Sequence, residues 1–281
     1  MANLARTVFL VSDSTGITTE SFSHSLLSQF AHIEFNFVHM RYVDSMSKAR
    51  EAAAQIAAAG KEQEARPLVF STLVDAELRR VIAASGGAWY DLFETYLAPL
   101  QQELQMEPRH VSGRTHGVID DRFYTARIDA VNFSLQNDDG VSTRHYSEAD
   151  IILVGVSRTG KTPTCLYLAL HYGVYAANFP ITEDDCLALR LPAALQRHRE
   201  KLFGLTIDAE RLQRIRSQRR ADSRYASLSQ CRREIQLAEE LFAATRIPYL
   251  DTTTMSVEEI ATTILNRSGL RKEARPAPAG S

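Results

Sequence analysis

The chain has 281 residues, enough for two domains of ordinary size or one large one. Hydrophobic residues at 44% and charged residues at 23% match a globular protein and exclude wholesale disorder or collagen-like repeats. With 32 basic and 34 acidic residues the formal net charge is -2, which points to neither nucleic acid nor a membrane as partner, although local clusters can still act.

Residues 7–11 read as a short buried strand. The run Val8-Phe9-Leu10-Val11 is too short for a secretion signal, and no segment approaches the roughly 18 apolar residues that span a bilayer. A helix follows over 18–30, with Phe22, Leu26, Leu27 and Phe30 at helical spacing, then a half-buried strand over 33–40. Ser45 or Ser47 caps an alanine-rich helix that is expected to end at Gly60 in a left-handed cap. A strand over 67–70 and a helix over 75–84 complete a β-α-β-α order, which predicts a parallel sheet covered by helices. Ser12-Asp13-Ser14-Thr15-Gly16 leaves the first strand at the end where open α/β sheets bind ligands; a capped turn with a permissive glycine explains it equally well.

The middle is less regular. Residues 107–148 hold Pro108, three glycines and the turn signal Asp138-Asp139-Gly140, with strand-like pieces over 124–133. The expected organisation is therefore an N-terminal α/β domain over 1–145, with a hairpin or linker over 107–145, and a second α/β domain over 146–270. Residues 271–281, with Pro276, Pro278 and Gly280, read as a disordered tail. Cys165, Cys186 and Cys231 form no CxxC pair and the eight histidines show no zinc spacing, so a reducing cytoplasm is expected. No internal repeat appears at a fixed period.

The strongest chemical signal is Gly155-Val156-Ser157-Arg158-Thr159-Gly160-Lys161-Thr162, which satisfies the P-loop pattern GxxxxGK[ST]. The glycines let backbone N–H groups turn around phosphate oxygens, the lysine adds a mobile positive charge, and the threonine offers a hydroxyl to Mg²⁺. A chance match arises on the order of once per hundred chains of this length. The context supports it: Ile151-Ile152-Leu153-Val154 precedes as a buried strand, and Pro163 with Leu166, Tyr167 and Leu170 predicts a following helix whose N-terminus faces the anion.

Beyond the loop, strands are expected over 174–179 and 201–208. Arg211, Arg214, Arg216, Arg219, Arg220 and Arg224 then crowd into fourteen positions and are read as a lid that closes over phosphate, against the blander alternative of a solvated helix face. Ser256 with Glu259 forms a capping box before a last helix. No convincing Walker B strand ending in Asp follows the loop. Asp138 and Asp139 are candidates for a base or for metal support, although such a sequence is more often a hairpin turn.

Taken together, Ser12 to Gly16, Ala98-Pro99-Leu100-Gln101-Gln102-Glu103, Arg114-Thr115-His116-Gly117, Asp138-Asp139-Gly140, residues 155–164 and 201–208, Ser223-Arg224-Tyr225-Ala226-Ser227 and Gln230-Cys231-Arg232 resemble the bacterial regulatory proteins of phosphoenolpyruvate synthase, related to those of pyruvate, phosphate dikinase. The likeness covers about residues 8–270. It implies a bifunctional enzyme. One activity uses ADP as donor to phosphorylate a threonine of the synthase; the other removes that phosphate by attack of inorganic phosphate, releasing pyrophosphate. It also implies that residues 155–162 bind the nucleotide, that Lys161 serves catalysis and that Thr162 holds Mg²⁺. Asn137 stands where the family is expected to carry a histidine, so Asp138 or His116 would have to move the proton. The expected partner is the synthase, with a homodimer entertained and neither nucleic acid nor membrane expected. Two rival readings are a P-loop kinase acting on a small metabolite and a nucleotide-sensing module without catalysis.

Overall fold

The computed structural model describes residues 4–62, 65–109, 121–140, 143–219 and 223–270. Two compact units appear, Met1–Val118 and Ile119–Ser281.

The first unit alternates β1 (Leu4–Val11), α1 (Ile17–Leu27), β2 (Ile33–Met40), α2 (Met46–Glu62), β3 (Leu68–Ser71), α3 (Ala76–Ala83), β4 (Ala88–Asp91) and α4 (Glu94–Leu104). The four strands are parallel in the order β2-β1-β3-β4. Central β1 explains its unbroken apolar run: alternate side chains point to opposite faces, and both faces are covered. Phe9 and Val11 join Ile56, Leu78 and Ile82 in one cluster, whereas Val8 and Leu10 join Leu27 and Phe70 in another. Ser45 accepts from Lys48 N at 3.5 Å, ahead of α2. The expected stop at Gly60 is corrected: α2 runs on to Glu62, and Gly60 is not among the residues with positive φ. A Cβ at Gly60 would meet Pro67 at 3.4 Å, an ordinary van der Waals contact, so packing does not demand a glycine there.

The second unit holds α5 (Asp121–Gln136), β5 (Ile151–Gly155), α6 (Lys161–Tyr172), β6 (Ala176–Pro180), α7 (Glu183–Leu187), α8 (Ala193–Gln196), β7 (Leu202–Thr206), α9 (Ala209–Ser217), α10 (Leu228–Thr245), β8 (Tyr249–Asp251) and α11 (Val257–Ser268). Its sheet is again parallel, in the order β6-β5-β7-β8. Counted from the first strand of each unit, both sheets have the order 2-1-3-4, a likeness of topology that leaves no periodic trace in the sequence. Every residue of β5 is buried. Ile151 and Leu153 pack with Leu168, Ile260 and Ile264 on one face, and Ile152 and Val154 pack with Leu241 and Phe242 on the other.

Two expectations fail here. The strand-like pieces over 124–133 are a helix, α5, because Ala130, Phe133, Ser134 and Asn137 are buried at i, i+3, i+4 and i+7, a helical period that outweighs the local β-formers. Since α5 packs on α6 and β6, with Phe133 stacked on Tyr175 at 4.8 Å, it lies in the second unit. On α6 the buried face is Thr164, Cys165, Leu168 and Ala169, one step round from the expected Leu166, Tyr167 and Leu170; Leu170 is exposed. The expected tail over 271–281 lies outside the described residues.

Candidate active site

The glycine-rich loop leaves β5 at Gly155 and enters α6 at Lys161, at the C-terminal end of a central strand. Gly155 is dictated by packing: a Cβ there would fall 2.4 Å from the carbonyl oxygen of Leu205 on β7. Gly160 has φ +90 and caps α6 without any side-chain hydrogen bond to the helix N-terminus, leaving that positive end to a ligand. The loop is braced from within. Thr159 Oγ1 donates to Val156 O at 3.1 Å, and Thr252 Oγ1 donates to Thr159 O at 3.3 Å. Lys161 is 4% exposed and its Nζ donates to Val156 O at 2.9 Å, so the ammonium lies folded on the loop it serves. Burial lowers its pKa to about 8, opposed by the negative charge of Asp139 and, more weakly, of Asp138.

A second segment meets this loop. After α5 the chain turns through Asp139 (φ +50) and Gly140 (φ +67), and Asp138 Oδ1 accepts from Thr162 Oγ1 at 2.8 Å. Asn178, buried on β6, holds the turn in place: its Nδ2 donates to Asp138 Oδ1 at 2.5 Å, and its Oδ1 accepts from Asp139 N at 3.1 Å. Its backbone carbonyl accepts from Gly140 N at 3.2 Å and from Tyr146 Oη at 2.9 Å. The turn is therefore not the hairpin that its sequence favours. It docks on β6 and delivers a carboxylate to the P-loop threonine from upstream, where the sequence offered no Walker B aspartate downstream.

A hydroxyl and a carboxylate side by side form an all-oxygen donor set suited to a hard cation such as Mg²⁺. Among the described residues no group of three or more His, Cys, Asp or Glu gathers to hold a metal. Asn137 turns its side chain back on α5, its Nδ2 donating to Phe133 O at 2.8 Å, while its backbone carbonyl accepts from Asn178 N at 3.2 Å.

The described arginines of the cluster do not share one environment. Arg211, Arg214, Arg219 and Arg224 are exposed, whereas Arg216 is fully buried. On α9 Arg216 lies one turn after Leu212, so helical spacing puts it on the core face rather than in a lid. Its Nη2 donates to Ser157 O at 3.1 Å and to Glu234 Oε2 at 2.6 Å, and its Nη1 donates to Tyr225 O at 3.0 Å. Arg220, His116 and the rest of the Arg114 to Gly117 block lie outside the described residues. In the first unit, the side chains of the Ser12 to Gly16 loop are engaged locally: Ser12 Oγ accepts from Ser14 N at 3.2 Å and Thr72 Oγ1 at 3.1 Å, and Asp13 Oδ2 accepts from Val74 N at 3.3 Å.

Neither Asn178 nor Tyr225 was singled out as a site residue by sequence. Asn178 sits in a strand-forming stretch with nothing local to mark it, and Tyr225 carries only its place in the Ser223 to Ser227 block.

A sequence model of the kinase/pyrophosphorylase family matches residues 8–265. The chain belongs to that family. The kinase/pyrophosphorylase match spans both units, contains the P-loop and the Asp138 turn, and supports a kinase or phosphotransferase activity for the chain. Relatives named phosphoenolpyruvate synthase regulatory protein are similar over nearly their whole length. The one from Alkalilimnicola ehrlichii is 52% identical over 97% of this chain and 99% of its own. The one from Hahella chejuensis is 50% identical over 97% and 100%, and that of Halorhodospira halophila 52% over 95% and 98%. Among the described residues no helix is long and apolar enough to cross a membrane.

Proposed function

We propose that this kinase/pyrophosphorylase regulates phosphoenolpyruvate synthase, phosphorylating a threonine of the synthase from ADP and removing that phosphate with inorganic phosphate. The observation that carries the reading is the 2.8 Å bond from Thr162 to Asp138, which joins a carboxylate to the P-loop beside Lys161.

In the forward reaction the threonine oxygen attacks the β-phosphorus of ADP, the bridging P–O bond breaks, AMP leaves, and the hydroxyl proton passes to a base. In the reverse direction an oxygen of inorganic phosphate attacks the phosphothreonine phosphorus, the P–O bond to threonine breaks, and pyrophosphate forms while the threonine oxygen regains a proton. The loop N–H groups and Lys161 hold the phosphates in both cases, since positioning and charge stabilisation dominate this chemistry. Mg²⁺ held by Thr162 and Asp138 would neutralise charge on the phosphates. Asp138 is committed to Thr162 and Asn178, whereas Asp139 is exposed and near enough in charge to act on Lys161; Asp139 is assigned as the base.

The test is incubation of the protein with purified synthase and ADP labelled on the β-phosphate, followed by phosphosite mapping. Label on one threonine of the synthase is expected. ATP consumption with a small acceptor would replace this reading with that of a metabolite kinase, and ADP binding without transfer would replace it with that of a sensor.

A further inference from the structure

We propose that Arg216 and Tyr225 are positioning residues that brace the phosphate-binding loop in its ligand-ready shape by gripping Ser157. The inference rests on the reading that residues 155–162 hold nucleotide phosphates, and it gives two residues outside the P-loop a role in nucleotide affinity.

Arg216 heads the fully buried side chains by volume. A buried cation is costly even when paired, and an apolar side chain of similar size often packs as stably. The ion pair with Glu234, which also accepts from Gln230 Nε2 at 3.0 Å, compensates the charge. Even so, Arg216 Nε has no hydrogen-bond partner among the described residues. Packing and charge balance alone therefore do not explain an arginine here. What distinguishes it from an apolar residue is the reach of its terminal nitrogens to Ser157 O and Tyr225 O.

Tyr225 completes the grip. Its ring lies 4.1 Å beneath the guanidinium carbon, and its hydroxyl donates to Ser157 Oγ at 3.0 Å. Ser157 is thus held at both its carbonyl and its side chain by two residues that also hold each other.

The next residue shows why that matters. Arg158 has φ +79, a left-handed conformation that costs a non-glycine residue about 1 kcal/mol and persists only where its surroundings over-determine it. On its far side Thr159 is fixed by Thr252 and by its own bond to Val156 O. On its near side the only fixings of Ser157 found among the described residues are Arg216 and Tyr225. Together these contacts keep Arg158 left-handed and the loop turned for phosphate.

The experiment measures ADP affinity by calorimetry for the full chain, Tyr225→Phe, Arg158→Gly and the double variant, with Tm measured alongside. Tyr225→Phe deletes one hydroxyl and keeps the stacked ring, so ADP should bind about three- to ten-fold more weakly while Tm changes little. Glycine adopts the left-handed conformation without a Cβ penalty, so in the Arg158→Gly background the Tyr225→Phe loss should shrink to less than about two-fold. Wild-type affinity in Tyr225→Phe, or an equal loss in both backgrounds, would overturn the brace while leaving the nucleotide reading intact. Failure of the wild-type chain to bind ADP would overturn both.

Discussion

Thr162, in the first turn of α6, donates its hydroxyl to Asp138 across 24 positions of sequence, and Asn178 donates to the same carboxylate oxygen from β6. Two donors from two elements thereby fix one oxygen of Asp138 beside the glycine-rich loop. Asp138→Asn keeps the size of the side chain and removes its charge. Transfer in both directions should fall at least about 100-fold, about 3 kcal/mol of lost charge stabilisation. Asn178→Ala leaves the carboxylate but frees the turn, and should fall between wild type and Asp138→Asn. Initial rates at varied Mg²⁺ check both, and an Asp138→Asn enzyme with the metal dependence of wild type would refute the assignment.

Burial lowers the pKa of Lys161 from 10.5 to about 8. Between those values the unfolded chain binds more protons than the folded one, so stability rises with pH across the window. Below about pH 8 folding carries the full cost of burying the ammonium; above it the cost is progressively relieved. Lys161→Met should flatten the rise in unfolding free energy between pH 8 and 10.5 and raise stability at pH 7. Urea denaturation at a series of pH values checks this, and parallel curves for the two proteins would contradict it. Because phosphates favour the ammonium form, ADP affinity of the wild-type chain should decline above about pH 8.

Gly155 faces backbone rather than a flexible side chain: its absent Cβ would sit 2.4 Å from Leu205 O. Gly155→Ala must therefore push β7 from β5, at a cost of about 1–3 kcal/mol. Thermal unfolding with a Tm within a degree of wild type would show that the strands yield more readily than the register of the sheet implies.

The arginines should separate by burial. Alanine at Arg211, Arg214, Arg219 or Arg224 should each change stability by under about 0.5 kcal/mol, as exposed surface substitutions do. Arg216→Ala leaves Glu234 without its partner and should cost about 3 kcal/mol. Chemical denaturation of the five variants measures the contrast, and a uniform series would mean that Arg216 is solvated like the rest.

The alternating strands and helices of the first unit from β1 to α3 and the P-loop motif were legible because both depend on local signals, apolar runs, caps and glycine spacing, whereas β4 and α4 were not read. The capping box of Ser256 and Glu259 is present as read. Long-range geometry was not legible. Nothing near Asp138 in sequence shows that its turn docks on β6, since the partners are Thr162 and Asn178, 24 and 40 positions away. The helix α5 was hidden by Tyr124, Val131 and Phe133, β-formers whose period was outweighed by the buried positions Ala130, Phe133, Ser134 and Asn137. The arginine run misled for a related reason: counting charges ignores the 3.6-residue period that sends Arg216 inward.

The most direct test of the account is Lys161→Ala assayed in both directions, with β-labelled ADP and synthase for transfer, and with phosphorylated synthase and inorganic phosphate for removal. If one loop serves both reactions, label transfer and pyrophosphate release should disappear together while the variant remains folded by circular dichroism. Retention of either activity at a wild-type rate would contradict a shared phosphate site at residues 155–162.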